Sequence, residues 1–136
     1  MIYSMRFISE VKPPVLRKET VTKAIIDAIR RFVREHRMTL YAYCLMPDHL
    51  HIVAAPQGGS SIGKLMQDFK VATGLADCDS GNYESIWSRV LYLPIRDDAM
   101  LKDICLFVAS NPIRKGLVSD LKQWPHIWVK KSLVTK

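Results

Sequence analysis

The chain has 136 residues, of which 49% are hydrophobic and 24% charged, and its 20 Lys and Arg against 13 Asp and Glu leave a net charge of +7. That balance predicts one folded domain over residues 1–136 with a real core, and it excludes a disordered chain or two comfortable domains. No apolar run nears the ~20 residues of a membrane span, the opening Met1-Ile2-Tyr3-Ser4-Met5-Arg6 lacks the layout of a secretion signal, and Cys44, Cys78 and Cys105 form no Cys-x-x-Cys pair. The expectation is a cytoplasmic protein with reduced thiols and no membrane partner.

In chain order, residues 2–9 mix β-branched and aromatic residues with polar ones and stop before Lys12-Pro13-Pro14, which reads as a first strand ended by a loop. From Thr20 the period changes: Val21, Ile25, Ile26, Ile29, Phe32 and Val33 recur at helical spacing and predict an amphipathic helix of about five turns. The other face of that helix is basic, with Arg30, Arg34 and Arg37 at steps of four and three and Arg31 and His36 beside them. Two readings fit this ridge: cations offsetting the helix dipole, or a contact surface for phosphate backbone. The overall charge favours a polyanionic partner, and nucleic acid is the commonest of these for a small cytoplasmic domain.

Residues 39–45 read as a second strand, and Met46-Pro47-Asp48 is short enough to turn the chain into a third over 49–55, making a hairpin. After the turn residues Pro56-Gln57-Gly58-Gly59-Ser60, a helix carries Ile62, Leu65, Met66, Phe69 and Ala72 on one face with Lys64 and Lys70 outside, and Gly74 is a plausible stop. Residues 77–84 are loop-like. Residues 87–95 are rich in strand formers, but Pro94 confines that strand to an edge or a bulge. Asp97-Asp98 then cap a last helix whose apolar stripe is Met100, Leu101, Ile104, Phe107 and Val108, ended by Asn111-Pro112. The tail with Trp124-Pro125-His126-Ile127-Trp128 is a strap over the core or a short strand. The order strand, helix, strand, strand, helix, strand, helix predicts an α+β fold of the ferredoxin-like kind, an antiparallel sheet with packed helices.

Within the third strand, His49 and His51 must point to one face while Leu50 and Ile52 point to the other. Cβ atoms two apart on a strand lie roughly 7 Å from each other, so the two imidazoles form half of a metal site. Taken alone, such a pair more often serves packing than metal binding.

The wider pattern carries a resemblance. Leu45-Met46-Pro47-Asp48-His49-Leu50-His51 resembles the HUH motif of single-tyrosine transposases, in particular the REP-associated tyrosine transposase branch with its Met-Pro-Asn-His-x-His. Trp87, Ile95-Arg96-Asp97-Asp98, Phe107-Val108-Ala109-Ser110-Asn111-Pro112-Ile113-Arg114-Lys115-Gly116-Leu117-Val118 and Trp124-Pro125 are similar to that branch's later segments, in the same order. The resemblance implies Mg²⁺ or Mn²⁺ held by His49, His51 and Asn111, and a tyrosine one helical turn before Asn111 that attacks a phosphodiester of single-stranded or hairpin DNA. That attack leaves a 5′-phosphotyrosine and a free 3′-hydroxyl.

The chain departs from the pattern where the nucleophile belongs: position 107 is phenylalanine, and a benzyl side chain has no oxygen to attack with. Aligned this way, the chain binds DNA without cutting it, as a cleavage-dead form of the enzyme or as a non-catalytic DNA-binding module of the same ancestry. Asp48 in place of Asn is a milder difference. A slipped alignment would make Tyr83 or Tyr92 the nucleophile, and a zinc site of His49 and His51 with Cys44, His36 or His126 is a further alternative. Candidate DNA contacts are Arg30, Arg34, Arg37, Lys64, Lys70, Arg89, Arg114 and Lys115; both a monomer and a homodimer fit.

Overall fold

Alternation along the strands decides the architecture. A computed structural model describes residues 1–12, 14–78, 81 and 84–133; the readings that fall on Pro13, on Asp79, Ser80, Asn82 and Tyr83, and on the last three residues lie outside these. The elements are β1 (Ile2–Ile8), α1 (Glu19–Arg34), β2 (Met38–Leu45), β3 (His49–Pro56), α2 (Ile62–Gly74), β4 (Arg89–Ile95), α3 (Asp98–Ala109), a single further turn α4 (Asn111–Arg114) and β5 (Ile127–Val129). The strands make one antiparallel sheet in the order β4-β1-β3-β2-β5. This is the mixed α+β, ferredoxin-like architecture expected, with β5 added at one edge and Pro94 on the edge strand β4 at the other.

Each strand sends alternate residues to two different cores. Met5 and Phe7 of β1, Tyr43 and Leu45 of β2, and Leu50 and Ile52 of β3 face α1 and α2, where Ile25, Ile29, Phe32, Leu65 and Phe69 meet them. Ala42 and Cys44 of β2 and Val53 of β3 face α3, where Leu101, Cys105 and Val108 close a smaller core. Asp97 caps α3 as expected, its carboxylate accepting the Met100 N–H at 2.8 Å.

Three details depart from the sequence reading. The buried stripe of α3 is Leu101, Cys105 and Val108, and Phe107 stands 53% exposed outside it, because α3 lies with its small Cys105 against the sheet. The helix stops at Ala109, before Asn111-Pro112, and Asn111 opens α4; Pro112 is tolerated in that first turn because its missing N–H would have no partner there. Val33, placed on the apolar stripe of α1, is 37% exposed, because it lines an open groove between α1 and the strands β2 and β5.

Candidate functional site

The tight turn Met46-Pro47-Asp48 sets both histidines at the start of β3. The Met46 N–H bonds the His49 carbonyl at 2.8 Å, and the Ser9 N–H ties the Asp48 carbonyl to the end of β1 at 2.9 Å. His49 and His51 are nearly buried, on the face of α3. The Nδ1–H of His49 donates to the Asp48 carboxylate at 2.7 Å. That leaves Nε2 as the acceptor, and it faces the Nδ2 of Asn111 at 3.2 Å. His51 Nε2 lies 2.7 Å from the hydroxyl of Ser4 on the neighbouring strand. Burial lowers the pKa of His49 against the opposing pull of Asp48, and it lowers His51 to about 4, helped by the charges of His49, Arg6 and Arg114. Both rings are thus neutral at physiological pH, the form in which imidazole ligates a metal. Burial works to raise the Asp48 carboxyl, but its bond to His49, the charges of His49 and Lys115 and a backbone hydrogen bond together hold it below the ordinary range.

The break between α3 and α4 brings the other side chains in. Arg114 binds this corner together. Its Nη2 donates to the Phe107 carbonyl at 2.9 Å and to the Asn111 Oδ1 at 3.1 Å, its Nε donates to Ser110 Oγ at 2.9 Å, and its guanidinium carbon sits 3.7 Å above the centre of the Phe107 ring. Phe107, Asn111 and Arg114 line one open cleft of about 480 Å³ with His49 and His51. Arg6, Lys12 and Lys115 add positive charge to its wall, against the single carboxylate of Asp48. Such a cleft suits a phosphate. The described residues contain no group of three His, Cys, Asp or Glu placed to hold a metal, so a cation here would take two imidazoles and the Asn111 amide.

A family model described as transposase, IS200-like, matches residues 1–92. The chain belongs to the IS200-like transposase family. That span contains both histidines and ends before α3, so Phe107 and Asn111 lie outside it. The fold of the whole chain is similar to two solved structures. One is a REP-associated tyrosine transposase bound to a REP hairpin, at a TM-score of 0.75 and 19% identity, over 93% of this chain and 74% of that one. The other is a candidate transposase from Deinococcus radiodurans, at a TM-score of 0.57 and 16% identity, over 79% of this chain and 88% of that one. No curated protein sequence gives a significant match.

In this IS200-like transposase, His49, His51, Phe107, Asn111, Arg114 and Lys115 come together in the cleft, and the remaining candidate contacts do not. Arg37 bonds Asp68 at 2.8 Å and covers the Phe32 ring, and Lys64 bonds the same Asp68 at 3.1 Å. Both sit with α1 and α2 on the opposite side of the sheet. Arg30 and Arg34 are exposed on α1, Lys70 is half-buried on α2, and Arg89 is exposed at the start of β4.

Of the two alternative nucleophiles, Tyr92 is turned away from the histidines. Tyr92 pairs across the sheet with Met5 and packs edge-on against Tyr3 with ring centres 5.9 Å apart, on the face away from the imidazoles; Tyr83 lies outside the described residues. The zinc alternative lacks a third ligand among the described residues. Cys44 is buried and in register with His51, but no group of three His, Cys, Asp or Glu side chains among the described residues is placed to hold a metal. His36 lies in the turn after α1, and His126 packs against the Trp124 ring.

Sequence reasoning missed Ser4, Arg6 and Lys12. The first two had a signal, since Ser4 and Arg6 alternate with Met5 and Phe7 and so had to share one face. What was invisible is that β1 pairs with β3 in the register that sets Arg6 opposite His51.

Proposed function

We propose that the cleft binds single-stranded or hairpin DNA and holds one phosphodiester against His49, His51 and Asn111. The observation that carries this reading is the corner where Phe107 and Asn111 line an open basic cleft with His49, whose Nε2, the ring nitrogen not bonded to Asp48, meets the Asn111 amide at 3.2 Å. The donor set fits Mg²⁺ or Mn²⁺: two neutral imidazoles and an amide whose oxygen and nitrogen exchange places by a half-turn. A divalent ion bound there would supply Lewis-acid polarisation of the phosphodiester and stabilise the departing 3′-oxygen. The Asp48 carboxylate fixes the His49 tautomer, and Arg6, Arg114 and Lys115 offset the phosphate charge.

With tyrosine at 107, the phenol oxygen attacks phosphorus. The new P–O bond forms a 5′-phosphotyrosine, the P–O3′ bond breaks, and the 3′-oxygen takes up a proton to leave as a hydroxyl. Reversal rejoins the strand without ATP, because the covalent link conserves the phosphodiester energy. Phe107 removes the attacking oxygen and nothing else, so this chain binds DNA uncut. Phe107→Tyr incubated with a hairpin oligonucleotide and Mn²⁺ is expected to give a protein–DNA adduct stable in a denaturing gel, abolished by His49→Ala. Hairpin binding by Phe107→Tyr without any adduct would overturn the cleavage reading and leave the second one, a DNA-binding module of the same ancestry.

A further inference from the structure

A larger groove, of about 800 Å³, lies on the opposite face of the sheet, between the carboxyl-terminal half of α1 and the strands β2 and β5. One wall is the carboxyl-terminal half of α1, with Ile29, Val33, Arg30 and Arg34; the other is Tyr43 of β2 and Trp128 of β5, cross-strand partners on the same face. Trp128 is 41% exposed, whereas Trp87 is buried and bonded to Thr73, and Trp124 donates its indole N–H to the Leu45 carbonyl. Arg30 and Arg34 on the rim make no ion pair among the described residues, Lys130 at the β5 end holds its ammonium 5.2 Å from the centre of the Tyr41 ring, and no acidic side chain lines the groove. An apolar floor, one open indole and a rim of a single charge therefore occur together.

Resting on the DNA reading above, we propose that this groove is a second nucleic-acid site, which takes a short run of unpaired nucleotides. A base stacks on Trp128, and its flanking phosphates lie on Arg30 and Arg34. The chemistry selects this occupant. A duplex offers mainly phosphates and sugar edges and would leave the exposed Val33 and Trp128 side chains uncovered, whereas unpaired bases present flat apolar faces to them. A second copy of the chain would bring like cations together across a symmetric contact. Arg30 and Arg34 stand one helical turn apart, with Cβ atoms roughly 6 Å from each other, a step that successive phosphates of an extended strand can follow. The histidine cleft opens on the other face, so single-stranded DNA flanking the phosphodiester held there would reach the groove around the β5 edge.

The test compares binding of fluorescent oligothymidylate and of a blunt hairpin, without divalent metal, by the wild-type chain, Trp128→Ala, Trp128→Phe and Arg30→Ala/Arg34→Ala, each checked for an unchanged melting profile. Trp128→Ala is expected to weaken oligothymidylate binding about tenfold with little effect on the blunt hairpin, Trp128→Phe to recover most of the loss, and the double arginine variant to flatten the salt dependence. Photocrosslinking of a halogenated oligothymidylate is expected to map to Trp128. Oligothymidylate affinity unchanged in Trp128→Ala, crosslinks confined to the histidine cleft, or a wild-type dimer that Trp128→Ala dissociates would overturn the proposal. The adduct assay with Phe107→Tyr reports on the cleft alone, so failure of one site is distinguishable from failure of the other.

Discussion

The two faces of the sheet are built from the same strands and do opposite work. Towards α1 and α2, Phe7, Phe32 and Phe69 are fully buried with ring centres 5.1 and 5.4 Å apart, and Trp87 closes the cluster. Towards α3 the core consists of smaller residues, and beyond the reach of that single helix the strands present Arg6, His49 and His51 to the cleft, with Ser4 bonded behind His51. Two covering helices make a dry, aromatic face that fixes the strands. One covering helix leaves room for neutral histidines held by hydrogen bonds. The rigidity of the first face lets the second hold polar groups in place at the edge of solvent.

Breaking the aromatic face has the largest expected effect. Phe69→Ala should cost about 3–5 kcal/mol in urea denaturation, while Phe107→Ala, exposed and stacked only on Arg114, should cost less than about 1 kcal/mol. Similar losses for the two would erase the contrast.

Alkaline pH should act on the α3 face. Burial raises Cys44 from 9.0 to about 12 and Cys105 from 9.0 to about 11, so between those limits the unfolded chain releases protons that the native chain keeps. Stability then falls as pH rises, by at most about 1.4 kcal/mol per unit for each thiol. Between pH 9 and 10, below the titration of Tyr43, which burial also raises, Cys44→Ala and Cys105→Ala should each flatten the slope. A slope that both variants leave intact would place its origin elsewhere.

The smallest effect sharpens the comparison at the helix that carries the site. Asp97→Ala removes the cap of α3 and should cost about 1 kcal/mol in thermal denaturation. Asp97→Asn, which keeps an accepting oxygen, should restore most of it.

Much of the fold was legible because it is local. Period-two and period-3.6 patterns marked β1, α1, the β2–β3 hairpin, α2, β4 and α3, and Asp97 and Pro94 marked a cap and an edge. Phe107 was the instructive misreading. Its spacing put it on an apolar stripe, but which apolar side chains of a helix meet a sheet depends on how the helix lies, and Cys105 took the contact. Arg37 likewise sat on a basic ridge in the sequence and is spent on Asp68 and Phe32 in the structure.

By itself the sequence determined that His49 and His51 share one face, because side chains on a strand alternate, and that Asn111 follows position 107 by one helical turn. Tertiary structure alone decided that the Asn111 amide meets His49 across 62 residues of chain, that Ser4 and Arg6 join them, and that Trp128 stands beside Arg30 and Arg34. Strand order and helix placement come from pairing and burial between segments far apart in the chain, and no local pattern encodes which partner a strand will take.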